Sequence, residues 1–277
     1  MNFALPFIVR LAALEQLKND PLVDKIDLKL RTALTGSPAA QKFINGDRGD
    51  VPTAEVAEEK QIEFFRKMYG VEVTIDYPDL LRLLLQLRKN LSLYPPAYVR
   101  VVLDKIFLRE TGPGRGGFAR GREFTLEHRP VMNGSLHHEL EHVSDHFDNG
   151  LYGSENNAFW ASLNPRGYAA YYKGDFENCR RKSESGRRRP SGFPSYYGHC
   201  NPNEDQAEVT ELLMGGPNKN ARELAQADAV LARKIEQVKT YMRRRSNGLM
   251  DDQYWQDLKA GKVDETYWVA RAEALQK

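Results

Sequence analysis

The sequence predicts an α+β fold, in which a small mixed sheet lies between helical N- and C-terminal parts. Segments with the alternation of a half-buried strand occur between residues 71 and 128, whereas apolar residues recur at helical spacing before and after them. The chain has 277 residues, of which 41% are hydrophobic. This is enough to bury a substantial core in one large or two small domains.

Charge and cysteine content narrow the classes of function. The 40 basic and 38 acidic side chains leave a net charge of +2, which gives no bulk attraction to nucleic acid or to an anionic membrane. No apolar run approaches the roughly 18 residues of a membrane span. The two cysteines, Cys179 and Cys200, are too few for a disulfide scaffold and either form one bridge or stay free.

The N-terminal part is expected to be helical, because Leu22, Ile26, Leu30 and Leu34 recur at steps of four. Its apolar start lacks the basic region and cleavage site of a signal peptide, so it predicts a core-packing helix. The polar stretch NGDRGDVPT then predicts a loop or linker. We therefore divide the chain into an N-terminal helical segment with its linker, residues 1–62, and a main domain with C-terminal helices, residues 63–277.

The middle of the chain alternates between helices and strands. Proline in the first turn favours a helix start and glycine a helix end, while period-two alternation predicts strands. The expected elements are a helix in VAEEKQIEFFRKMYG, a strand in VEVTI, a helix in PDLLRLLLQLRKNL, a second strand in DKIFLRE, a third strand in GGFARGREFTLEH and a polar helix over residues 136 to 148.

A polar and basic segment, residues 171–192, follows the polar helix, with RRKSESGRRR at its centre. Charge runs without apolar residues cannot build a core, so the segment predicts a mobile insert that the fold does not need. Contact of its arginines with an acidic substrate is the alternative. The C-terminal third is expected to be helical, because ARELAQADAVLARKIEQVKTYMRRR combines strong helix formers with apolar periodicity.

The string HHELEHVSDH carries the strongest chemical signal, because His138, Glu139 and His142 satisfy H-E-x-x-H. Residues four apart lie about one helical turn apart, so both imidazoles project from one face and can share a metal. Glu139 is offset beside them, where it can take a proton from a water that zinc acidifies. The alternative is an exposed helix on which Glu139 is ordinary surface charge.

A third protein ligand has to come from another segment, because His146 lies about 12 Å along the helix from His138. In NPNEDQAEVTELL, Glu204 and Glu208 lie one turn apart on a predicted helix whose other face is apolar. Buried carboxylates are costly unless they are paired or bind a metal. Glu204 as a ligand, and Glu208 as the acceptor from a ligating histidine, would satisfy both.

The alternative for this helix is purely electrostatic. Glu204, Asp205 and Glu208 favour a helix N-terminus through its dipole, with Asn201 or Asn203 as the cap.

The pairing of HELEHVSD with SYYGHCNPNEDQAE resembles the gluzincin metallopeptidases, specifically the lethal-factor-like branch and related bacterial zinc peptidases. The resemblance covers roughly residues 65 to 215 and implies a zincin-like fold. It also implies a set of roles: zinc on His138, His142 and Glu204, a general base at Glu139, a supporting acid at Glu208, a match of Asp145 to the aspartate after the motif, and a match of Tyr197 to the tyrosine that binds the oxyanion.

Several neighbours depart from the pattern or compete for a role. Tyr196 is an alternative to Tyr197, and His199 is either a surface residue or a helper of the transition state. His137, Glu141 and the basic insert depart from the family pattern, which leaves the substrate open.

The resemblance implies a peptidase whose extended peptide or protein substrate adds as a strand along GGFARGREFTL, since edge pairing uses backbone hydrogen bonds of any sequence. One alternative is a zincin-fold binding or toxin-like module that keeps zinc without hydrolysing peptides. Another is a helical interaction protein in which the motif is accidental. The intact Glu139 favours the peptidase.

Overall fold

The computed structural model describes residues 54–76, 80–109, 117–127, 132–149, 154–164, 171–185, 188–215 and 219–275. The predicted N-terminal helices and the start of the linker lie outside these residues. The division of the chain near residue 62 therefore stays a prediction.

Helices and strands alternate through the first half, and helices fill the second. In chain order the elements are α1 (Ala54–Tyr69), β1 (Glu72–Asp76), α2 (Leu80–Leu91), α3 (Pro96–Val102), β2 (Lys105–Arg109), β3 (Gly117–Arg120), β4 (Glu123–Glu127), α4 (Met132–Asn149), α5 (Ser154–Ser162), α6 (Phe176–Glu184), α7 (Pro202–Met214), α8 (Lys219–Ala227), α9 (Ala229–Arg245), α10 (Asp252–Lys259) and α11 (Glu265–Leu275).

The four strands form one mixed sheet in the order β1-β2-β4-β3. The pairs β1–β2 and β2–β4 are parallel, and β3–β4 is antiparallel. In register, Val73 pairs with Ile106, which pairs with Phe124. The sheet and the surrounding helices confirm the predicted α+β fold with a small mixed sheet.

The predicted third strand is in fact a hairpin of two strands, β3 and β4. Gly121, between them, has a φ of +61°, a backbone conformation that glycine adopts readily. The alternation of GGFARGREFTLEH hid the turn, because side chains alternate on both arms of a hairpin. Helix α3 was also missed, since YPPAY was interpreted as a connection although Pro96 begins a helix.

The core lies between the sheet and the central helix α4, which packs against β3, β4, α2 and α7. Leu136, Leu140 and Val143 are buried on one stripe of α4, at the spacing of a helix face. They join the core cluster that contains Ile106 and Phe124 of the sheet. This packing fixes the rotation of α4 about its axis.

The C-terminal part is helical, as predicted, and its last helices pack against the end of α2. Tyr254 and Trp268 stack with ring centroids 5.4 Å apart. The Tyr254 hydroxyl donates to the carbonyl of Leu93 at 2.9 Å, and the Trp268 indole donates to that of Ser92 at 2.8 Å. Among the described residues, no helix is both long and apolar enough to cross a membrane.

Candidate metal centre

Helices α4 and α7 bring the three predicted ligands together. The Nε2 atoms of His138 and His142 are 3.1 Å apart, and Glu204 Oε2 lies 3.0 Å from the first and 3.3 Å from the second. Zinc bonds of 2.0–2.2 Å in a tetrahedral site place ligand atoms about 3.3–3.6 Å apart. The donor set therefore fits a zinc ion, and only a slight separation of the three atoms would be needed to admit it.

The N-terminus of α7 aims Glu204 at the histidines. Asn201 caps the helix, and its side chain accepts from the backbone N–H of Glu204 at 2.9 Å. Burial alone would raise the pKa of Glu204, but hydrogen bonds from His138 and His142 hold it well below the usual range. The predicted cap and the predicted ligand therefore coexist in one turn.

A carboxylate that the sequence analysis missed lies behind His138. Glu211 Oε2 is 3.4 Å from His138 Nδ1. A carboxylate at this nitrogen favours a proton there and leaves the Nε2 lone pair free for a metal. Glu211 is seven residues after Glu204 and three after Glu208, so helical spacing alone could have placed it on the same face.

Glu208 belongs to the same cluster, since it, Glu211 and His138 each offer an atom within 4.8 Å of the others. Burial raises the pKa of Glu208 to about 7. The carboxylate in contact with Nδ1 of His138 is that of Glu211, so the structure brings two carboxylates to the place where one was expected.

Glu139 lies beside the three ligand atoms and is only 5% exposed. Its Oε2 atom is buried and has no hydrogen-bond partner among the described residues. Burial raises the pKa of this carboxyl group. A Cβ atom on Gly117 of β3 would come within 2.6 Å of the Thr125 carbonyl oxygen and 2.9 Å of Glu139 Oε1, so the backbone contact requires glycine at the position where the strand approaches the carboxylate.

Of the two adjacent tyrosines, Tyr197 faces the cluster. Its ring lies 5.9 Å from that of His138 and lines the same cavity, whereas the Tyr196 ring packs 5.4 Å from that of His199. Burial and the carboxylate of Glu204, which also hydrogen-bonds the phenol, raise the pKa of Tyr197. Tyr197 therefore stays a protonated hydrogen-bond donor at neutral pH.

The other polar residues near the motif have different surroundings. His137 points into the core, where Nδ1 is 2.8 Å from the Tyr94 hydroxyl, and burial lowers its pKa to about 3. Asp145 is buried in α4 outside the cavity lining, and His146 lines the cavity without joining a metal-binding group of the described residues. His199 packs among aromatic rings outside the lining.

Glu141, which departs from the family pattern, has a structural explanation. Arg245 Nη1 of α9 lies 2.7 Å from its Oε1, and the Gln206 amide of α7 donates to the same atom. A small residue at this position would leave Arg245 buried without the carboxylate. Glu141 therefore joins α4 to α7 and α9 behind the site.

A cleft of about 630 Å³ opens over the cluster. Strand β3 contributes one wall, α6 contributes another, and α4 and α7 form the floor. The wall residues are Gly117, Phe118 and Ala119 from β3, and Phe176, Glu177, Arg180, Ser183 and Glu184 from α6.

Helix α6 corrects the prediction that the basic insert is a mobile loop. Asp175 caps the helix by accepting from the Asn178 N–H at 2.8 Å, and Arg180 pairs with both Glu177 and Glu184. These local interactions support a helix that has few apolar residues.

A disulfide from Cys179 to Cys200 also anchors helix α6. Of the two cysteine alternatives, the structure therefore has the bridge. It replaces the hydrophobic anchor that the sequence of the insert lacks.

A buried ion pair lies on another face of α7, here called the back face, which is outside the cleft lining. Lys234 Nζ of α9 donates to Asp205 Oδ2 and to the carbonyl of Gly192, both at 2.6 Å. The Trp160 indole and the Tyr171 hydroxyl donate to the same carboxylate oxygen at 2.8 and 2.7 Å. This cluster joins α7, α9 and the segment that leads to Tyr197.

No protein-family model matches the chain, and a search among curated proteins finds no match. Among solved structures, a protein described as a putative zinc-binding metallo-peptidase from Bacteroides caccae matches with a TM-score of 0.50 and 17% sequence identity. The match covers 78% of this chain and 95% of that chain. At this identity the likeness shows the fold alone.

Proposed function

We propose that the chain is a zinc-dependent peptidase of the gluzincin type, with His138, His142 and Glu204 as the metal ligands. The observation that carries the proposal is the convergence of three ligand atoms from two helices, within 3.0 to 3.3 Å of one another, beside a buried carboxylate. The resemblance of the sequence motifs and the fold likeness to a zinc-binding protein point in the same direction.

When bound, zinc polarises the substrate carbonyl and acidifies a water molecule. Glu139 is placed to accept the proton of the attacking water and to pass it to the leaving amine, so one carboxylate serves as base and then as acid. Burial favours this role because it raises the pKa of the group.

Tyr197 would donate a hydrogen bond to the oxygen of the attacked carbonyl as negative charge develops on it. Glu211 would hold His138 in the tautomer that presents Nε2 to the metal. Glu208 supports the same histidine as a nearby carboxylate. These assignments rest on the placement of each side chain around the three ligand atoms.

An extended peptide would bind along β3, which ends the sheet order beside the cleft. The strand lines the cleft with Gly117 to Ala119, and an edge strand offers backbone groups to any peptide. A zincin-fold module that binds zinc without hydrolysis is the second candidate, but it assigns no role to the buried Oε2 of Glu139, which has no partner among the described residues.

The decisive test is the Glu139→Gln variant. We expect it to keep one zinc per chain in elemental analysis, because the residue is not a ligand, and to lose at least about a hundredfold in peptide cleavage, the usual size of general-base catalysis. Cleavage of a peptide library by the wild type, by the variant and by the chelated wild type measures this. Retained turnover in the variant would contradict the assigned role.

A further inference from the structure

The wall that α6 contributes to the cleft has a distinct chemical character. The cleft-facing positions 176, 177, 180, 183 and 184 recur at the spacing of one helical face. Arg181 and Lys182 lie outside the cleft lining, and Lys182 Nζ donates to the Tyr172 hydroxyl at 2.6 Å. Of the basic residues described in α6, only Arg180 therefore lines the cleft.

Arg180 does not make this wall positive. It contacts Oε2 of Glu177 at 2.9 Å and Oε1 of Glu184, so one guanidinium faces two carboxylates and the group carries a net charge of about −1. Each carboxylate keeps a second oxygen that can accept from a substrate. Their side chains are 60% and 50% exposed.

A further carboxylate, Glu211, lines the same cleft in addition to Glu139 and Glu204, the two that zinc would neutralise. Glu139 lines the same cleft, and its buried Oε2 atom has no hydrogen-bond partner among the described residues. The cleft is therefore built to receive a ligand, and its surplus of carboxylates favours a cationic one.

Two exposed aromatic rings complete the subsite. Phe118 of β3 is 50% exposed and Phe176 of α6 is 38% exposed, and both line the cleft from opposite walls. Lysine and arginine side chains bury an aliphatic stem against apolar surface while the charged end reaches polar groups, and aromatic faces attract their cations.

We propose that the subsite between β3 and α6 binds a lysine or arginine side chain of the peptide substrate, with Glu177 and Glu184 as its specificity-determining residues. The inference rests on the proposed peptidase function and names its substrate class. It is opposite to the alternative that the sequence left open, in which the arginines of the insert contact an acidic substrate.

The test uses sets of peptides that are identical except at one position, which is Lys, Arg, Gln or Glu. Each set places that variable position at a different distance from the cleaved bond. The wild type should cleave them with kcat/KM in the order Lys or Arg, then Gln, then Glu. Glu177→Gln and Glu184→Gln should each reduce the Lys-to-Gln ratio by about two- to fivefold, the range of exposed charge pairs. Raised ionic strength should also reduce the ratio.

Two further variants test whether the preference for basic side chains arises in the cleft or from the overall charge of the protein. Arg180→Gln should increase the Lys-to-Gln ratio, because it removes the competing guanidinium. If Arg180 instead attracted acidic peptides, the variant would cleave only the Glu peptides more slowly. Glu236→Gln is the matched control, since Glu236 is 69% exposed and paired with Lys239 on α9 outside the cleft lining. This control should leave the ratio unchanged.

Binding gives a readout that does not depend on turnover. Anisotropy of labelled peptides with the Glu139→Gln protein should show the same order of affinities. Equal or better cleavage and binding of the Glu peptides, or an unchanged ratio in the Glu177→Gln, Glu184→Gln double variant, would overturn this inference and leave the proposed function standing. Failure to cleave any peptide would overturn both.

Discussion

The two faces of α7 hold neighbouring carboxylates in opposite ways. Asp205 lies on the back face with a buried cation, Lys234, and both side chains are 0% exposed. Glu204 lies on the cleft face with two histidines and, nearby, the further carboxylates Glu208 and Glu211. The single cationic side chain among the described residues that line the cleft is Arg180, which already pairs with two glutamates.

The difference concerns the source of positive charge. Burying a carboxylate is costly unless a cation accompanies it, and the back face contains its own. On the cleft face the partners of Glu204 are two histidines, and no Lys or Arg pairs with it among the described residues. A carboxylate with two imidazoles is a ligand set for a metal, which is the physical reason to expect one there. The back face is therefore structural, and the cleft face is where binding and chemistry are expected.

The largest expected effect comes from removing the cation of the back face. Lys234→Met leaves Asp205 buried without its partner, and breaking a buried pair in this way costs about 3–5 kcal/mol of unfolding free energy. Denaturant unfolding measures the loss, which should be the same in zinc and in chelator. The Lys234→Met, Asp205→Asn double variant should recover part of it. A loss that appears only with zinc present would mean that the two faces are not independent.

The second largest expected effect concerns the affinity of the cleft face for zinc. Glu211→Gln should weaken zinc binding by about ten- to a hundredfold, the usual effect of removing a carboxylate that orients a ligating histidine. Competition with a fluorescent chelator measures the affinity. Glu223→Gln on α8, outside the cleft lining, serves as a matched control. If Glu208→Gln rather than Glu211→Gln weakened zinc binding, the assignment of the orienting carboxylate would move to Glu208.

The smallest expected effect concerns Asp228, which caps α9 behind the back face, and the change of stability with pH. Burial alone would raise the pKa of Asp228, but hydrogen bonds from the backbone N–H groups of Gly192 and Leu231 hold it below its usual value. A depressed pKa in the folded state stabilises the protein above the unfolded pKa of about 3.9, and this contribution is lost as the pH falls through the folded value.

Asp228→Asn should therefore lower stability at neutral pH, by less than about 2 kcal/mol since asparagine can still cap α9, and the difference should vanish in strong acid. Thermal unfolding of both proteins between pH 2 and 7 measures this. A constant difference across that range would show that the charge of Asp228 contributes nothing.

The fold and the centre of the site were predictable because their signals are local. Helical spacing placed His138 and His142 on one face, and the apolar pattern of NPNEDQAEVTELL predicted that Glu204 faces inward. Alternation predicted the strands, although it could not reveal the turn at Gly121. The parallel order β1-β2-β4 depends on packing between distant segments, which no local pattern contains.

The missed features depend on tertiary contacts. Helical spacing could have placed Glu211 on the face of Glu204, but its contact with His138 Nδ1 joins residues 73 positions apart in the sequence, which no local pattern contains. Helix α6 looked like a solvated loop because its anchor is the bond from Cys179 to Cys200 rather than an apolar face. A charge run therefore indicates exposure, but not the absence of structure.

The bond between Cys179 and Cys200 also has a consequence for the durability of the protein. It closes a covalent ring that contains the exposed Arg181 and Arg188 and also Tyr197. A trypsin-like cut after either arginine would open the chain without separating its halves, so the nicked protein would run as one band on a non-reducing gel and as two after reduction. Proteolysis within this ring would therefore leave the two pieces of the chain, and the site residues on each, covalently joined.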